Sequence, residues 1–61
     1  MANIAQLQDL AIEILEHTHD GNDLSPFDLQ LIEDAVNGLL SDAGQKVFLN
    51  FHRRVMNGQY P

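Results

Sequence analysis

The stretch Leu24-Ser25-Pro26-Phe27-Asp28-Leu29 constrains this chain more tightly than any other. Ser25 carries a side-chain oxygen that can accept from a free N–H of the following turn, as an N-cap does. Pro26 then takes the first helical position, where its missing N–H forfeits no hydrogen bond and its fixed φ suits the helix. Asp28 falls three residues after the cap, where a carboxylate can bond back to it and faces the positive end of the helix dipole. Leu24 and Leu29 stand at the two positions of a hydrophobic staple. Four separate rules thus start a helix at residue 26. One helix and a loop precede it; a second turn and a third helix follow.

The first helix is expected over 4–18, with Asn3 as cap and Gln6 at the capping-box position. Ile4, Leu7, Ala11, Ile14, Leu15 and Thr18 share one arc at 3.6-residue periodicity, with Leu10 at its edge. His19-Asp20-Gly21-Asn22-Asp23 is a run of turn formers, in which Gly21 or Asn22 can take a positive φ. The second helix is expected over 26–39, with Leu29, Ile32, Ala35, Val36, Leu39 and Leu40 on its inner face and Gly38 loosening its end. Ser41 or Asp42 can cap the third helix, Asp42 making a capping-box spacing with Gln45. That helix is expected over 43–57. Val47, Phe48, Phe51 and Val55 form its core stripe, Gly44 allows close approach on the same side, and Gly58 suits a left-handed turn past its end. Tyr60 is expected to fold back onto it. Short connections favour antiparallel neighbours, so the fold expected is an all-α, compact three-helix bundle forming one domain over 1–61, with a crossed third helix as the alternative.

With 61 residues, burial and chain entropy nearly cancel, so the chain needs very good packing or a partner. It has no cysteine, which removes disulfides and thiolate metal sites. No basic segment followed by an apolar run opens the chain, and no stretch approaches the roughly 20 apolar residues of a membrane span. A complete, cytoplasmic product without a membrane partner is therefore expected. The net charge is −6, with all nine acids at or before Asp42 and all three bases, Lys46, Arg53 and Arg54, after it. An acidic total disfavours general nucleic-acid binding, which needs clustered Lys and Arg on phosphates.

Four candidate sites emerge. Asp9, Glu13, Glu16 and Asp20 are spaced 4, 3 and 4 apart and form an acidic row on the first helix. Its rise per step, about 4.5–6 Å, is comparable to phosphate spacing along one nucleic-acid strand. It is either a solvated face or a dock for a basic partner, a DNA mimic included. On the third helix Lys46, Asn50, Arg53 and Asn57 form a basic side open to a helix-turn-helix reading, with Arg54 nearer the core edge. Phe27 and Leu31 lie off the expected core stripe of the second helix, Leu49 and Met56 off that of the third, and Ile12 flanks that of the first. Gathered into one patch, they make a partner or dimer surface.

The fourth candidate is the loop over 17–28. Read from His17, its Leu24, Ser25 and Asp28 resemble the second half of an EF-hand calcium loop. His17, His19 and Gly21 stand where that loop needs oxygen ligands, Asn22 where it needs glycine, and Asp28 is shorter than the usual bidentate Glu. Helix capping explains Ser25 and Asp28 without a metal, and no cofactor is implied. Catalysis has no evident carrier: Ser25 and Ser41 are caps, Glu13 and His17 form an ordinary i, i+4 pair, and so small a bundle leaves little room for a pocket.

The function expected is a small acidic, non-enzymatic protein-interaction or regulatory module, homodimeric or bound to another protein. Phe27, Leu31, Leu49 and Met56 are its expected apolar contacts. The acidic row and Arg53 supply orientation, and the acids of one copy can meet the bases of another. A nucleic-acid-related protein is the alternative, and a degenerate calcium loop the third reading.

Overall fold

The computed structural model describes residues 3–59; the expected return of Tyr60 falls outside them. Three helices, α1 (Ile4–His17), α2 (Pro26–Val36) and α3 (Asp42–Met56), pack pairwise into a three-helix bundle. Each begins at its side-chain cap. Asn3 and Gln6 close a reciprocal capping box on α1, Ser25 accepts from the Asp28 N–H, and Ser41 accepts from the Gly44 N–H. Ser41 rather than Asp42 is therefore the cap of α3, and Asp42 opens that helix.

α2 stops three residues before the expected end. Gly38 takes φ +71°, the Leu39 N–H returns to the Asp34 carbonyl at 2.8 Å, and the Gly38 N–H to the Ala35 carbonyl at 3.3 Å. This is a Schellman closure, which ends a helix by turning one residue left-handed. α3 closes alike, the Gln59 N–H reaching the Arg54 carbonyl at 2.9 Å. α1 ends at His17 rather than 18. The Thr18 N–H bonds to Leu15 at 3.2 Å, in i to i−3 fashion, and the buried Thr18 hydroxyl donates to the Ile14 carbonyl at 2.7 Å.

The start of α1 lies against the end of α2. Ile4 covers Gly38, and the Gln8 side-chain amide donates to the Val36 carbonyl at 2.9 Å, satisfying one of the carbonyls a helix end leaves open. At the other end Leu15, Leu24 and Leu29 converge on Gly21. α1 and α2 are thus antiparallel, and the staple leucines meet on the loop they close. Across the other seam, Glu13 of α1 meets His52 of α3, Oε2 to Nε2, at 2.8 Å.

The core comprises Leu7, Ala11 and Ile14 from α1, Leu24 from the loop, Leu31, Ile32 and Ala35 from α2, and Phe48, Phe51 and Val55 from α3. Leu10, Leu15, Leu40 and Met56 pack around it. Leu31 is therefore core, not surplus surface, and Met56 is half covered. Ile4, Leu29, Val36, Leu39 and Val47, expected inside, are exposed. On α2 the buried line is Leu31-Ile32-Ala35: Ile32 and Ala35 are inside as expected, while Leu31 takes the place of Leu29 and Val36. On a helical wheel Leu29 lies about 60° from Ile32 on one side and Leu31 about 100° on the other, so periodicity alone favours Leu29, and the approach of α3 on the Leu31 side reverses that order.

Candidate interaction surface

Phe27, Gln30, Leu31 and Asp34 recur at i, i+3, i+4 and i+7, so they form one stripe along α2. Leu39, Leu40, Ser41 and Gly44, from the connection and the first turn of α3, stand opposite. Between them lies an open groove of about 320 Å3. That is larger than the sequence led us to expect, and it reaches only the lower end of the size range of ligand pockets. Leu31 and half-buried Leu40 form its inner part, while Phe27 and Leu39, 71% and 70% exposed, stand at its walls.

Local chemistry explains why Leu39 is outside. In a Schellman closure the residue after the left-handed position usually packs an apolar side chain on the helix three residues before the cap. Here that helical residue is Asp34, so Leu39 has no apolar partner there. The rim is polar and acidic: the Gln30 amide donates to Asp34 at 3.0 Å, and among the described residues no Lys or Arg lines the groove.

Of the four apolar contacts expected from sequence, the groove unites Phe27 and Leu31 and leaves out Leu49 and Met56. Those two share a line on α3 with His52, all within about 60° of arc, and His52 faces α1 through Glu13. They consequently belong to the α1/α3 side, not the α2 groove. The acidic row also changes. Asp20 takes φ +58° beyond the end of α1, so Asp9, Glu13 and Glu16 remain on the helix, with Glu13 engaged by His52. Asp9, Glu16 and Arg53 are exposed.

Sequence reasoning missed Leu39 and Leu40 as groove residues, because the expected α2 runs to Leu39 and sets both on its inner face. The Asn37-Gly38 pair was the signal that the helix stops there. It also missed the Glu13–His52 contact, which joins residues distant in sequence and has no local signature.

In the loop over 17–28, Ser25 and Asp28 face each other, the hydroxyl donating to Oδ2 at 3.0 Å. The His17 ring Nδ1 lies 3.0 Å from the Glu13 carbonyl oxygen and so donates to it, and His19 approaches Asp23 at 3.8 Å. Among the described residues no group of three or more His, Asp or Glu side chains is placed to hold a metal ion. No described helix is long and apolar enough to cross a membrane. Ser25 and Ser41 are both engaged as helix caps. Compared with known proteins, the chain matches no family model, no curated protein and no solved structure.

Proposed function

We propose that the chain is a non-enzymatic protein-interaction module whose α2 groove takes a large apolar side chain from a basic amphipathic helix of another protein. The observation that carries this reading is the pairing of Phe27 and Leu39, both about 70% exposed, across one groove. Single exposed apolar residues are ordinary, whereas two large ones walling the same concavity form an anchor site. The basic character of the partner follows from charge. α2 carries Asp28, Glu33 and Asp34 and no base, so Lys or Arg beside the anchor residue would meet complementary potential. An apolar helix face laid in a groove is a standard mode of recognition.

The test uses a synthetic amphipathic helical peptide with a leucine face bordered by lysines, titrated into the labelled protein and followed by NMR. Shift changes should centre on Phe27, Leu31, Leu39 and Leu40. Phe27→Ala or Leu39→Ser should weaken binding about 5- to 50-fold, as expected for loss of one anchor. Replacing the peptide lysines by glutamates should weaken it too. Shift changes elsewhere, or affinity indifferent to both substitutions, would refute the groove as the site.

A further inference from the structure

The α1/α3 side carries a second, different surface, and its charges are arranged in a self-complementary way. Asp9 and Glu16 are exposed on α1, on the same side as Glu13. Lys46 and Arg53 are exposed on α3, on the arc next to Leu49, which is 38% exposed. Between the two rows runs the seam closed by Glu13 and His52, with half-buried Leu10 and Met56 beside it. Among the described residues the contacts within 4.0 Å between a basic and an acidic side chain are His19–Asp23 and His52–Glu13, so Lys46, Arg53 and Arg54 have no such partner among those residues. One helix presents acids, its neighbour presents bases, and among the described residues neither Asp9 and Glu16 nor Lys46 and Arg53 meet an opposite charge.

We propose that a second copy of this chain docks on the α1/α3 face, with Asp9 and Glu16 of each copy against Lys46 and Arg53 of the other and Leu49 near the centre. Symmetry selects the arrangement. A two-fold axis running along the seam sets α1 of each copy over α3 of its partner, acids on bases at both ends of an isologous contact. A two-fold axis across the seam sets α1 on α1 and repels. The whole-molecule charge of −6 opposes any dimer, but at physiological ionic strength charges beyond about 8 Å are largely screened while contact pairs are not. The face therefore works at ordinary salt. It also leaves the α2 groove open, so the two surfaces are independent.

Charge reversal tests this without relying on an intact core, since all four side chains are exposed. The wild-type chain should dimerise in sedimentation equilibrium at up to about 1 mM. The variant Asp9→Lys with Glu16→Lys should be at least about tenfold weaker, and so should Lys46→Glu with Arg53→Glu, each with unchanged helicity by circular dichroism. Mixing the two variants should restore a heterodimer, and combining all four reversals in one chain should restore a homodimer. Leu49→Glu should weaken association, whereas Phe27→Ser should leave it unchanged. A monomeric wild type, a mixture that fails to associate, or a dimer lost on Phe27→Ser overturns the proposal. The last outcome would place the dimer contact in the groove.

Discussion

Gly21→Ala should destabilise this protein by about 2 kcal/mol, while glycine at either of the two preceding positions should stabilise it. His19, Asp20 and Gly21 form a run of three positive φ values, +53°, +58° and +87°. A Cβ on Gly21 would stand 2.7 Å from Leu29 Cδ2 and 3.4 Å from Leu15 Cδ2. Three terms decide the magnitude. An L-residue held left-handed costs about 1–2 kcal/mol. Alanine restricts the unfolded chain, which offsets about 0.4–1 kcal/mol of that. Leu29 is exposed enough to swing aside, at an off-rotamer cost of about 0.5–1.5 kcal/mol. The middle of these ranges gives about 2 kcal/mol, or roughly 8–16 °C in melting temperature for a domain of this size. His19→Gly and Asp20→Gly remove the first term and add about 0.5–1 kcal/mol of glycine entropy, so each should gain about 0.5–1 kcal/mol. Thermal and urea melts followed by circular dichroism read all three. If Gly21→Ala melts within about 2 °C of the wild type, or if glycine at 19 and 20 lowers stability, the left-handed loop is not what sets the entry to α2.

Two further substitutions separate core from surface. Leu31→Ala should cost about 2–3 kcal/mol, the low end for a buried leucine because the adjoining groove lets the site relax, whereas Phe27→Ala should stay within about 0.5 kcal/mol; equal losses in urea titrations would place Phe27 in the core. Thr18→Val should cost about 1 kcal/mol, because the Ile14 carbonyl loses the hydroxyl that serves it at 2.7 Å. Thr18→Ser should retain most of that stability, and a valine variant as stable as the wild type would mean the bond contributes nothing net.

Helix starts were legible because capping is local. Ser25-Pro26-Phe27-Asp28 and Asn3 with Gln6 state their geometry within four residues, and the structure has both. Helix ends were less legible: leucines at 39 and 40 continue the periodicity of α2 past Gly38, the residue that ends it. The inner faces were legible at their centres, where Leu7, Ala11, Ile14, Ile32, Phe48 and Phe51 are buried as the 3.6-residue pattern requires. They failed at the edges. A helix in a three-helix bundle touches two neighbours, so its buried arc is set by where those neighbours sit, which no single helix encodes. Leu31 in and Leu29 out is such a result. The candidate surfaces suffered the same way: four residues counted as one patch fall on two sides of the molecule, because which arc of α3 faces α1 and which faces α2 is a tertiary fact.

Among the described residues eight large apolar side chains are exposed, and four of the six besides Phe27 and Leu39 stand beside a turn, a helix end or a seam. Ile4 and Leu29 are the side chains nearest to Gly38 and Gly21, the two positive-φ glycines that shape the ends of α2. Each packs so close to its glycine that a Cβ there would meet it, at 2.9 Å for Ile4 and 2.7 Å for Leu29, so their partial exposure comes with a job inside the fold. Val36 sits at the end of α2, where Gln8 reaches its carbonyl. Leu49 adjoins the α1/α3 seam. Phe27 and Leu39 differ in kind. Phe27 stands at the second helical position, set there by the Ser25-Pro26 start, and its side chain is not needed to close that turn. Leu39 is where a Schellman closure would usually bury an apolar residue, and Asp34 denies it the contact. One is held out by a helix beginning and the other by a helix ending, and both flank the same groove. The exposure is thus built into two of the chain's firmest local structures, so a variant can remove either side chain without disturbing the caps that position the rest.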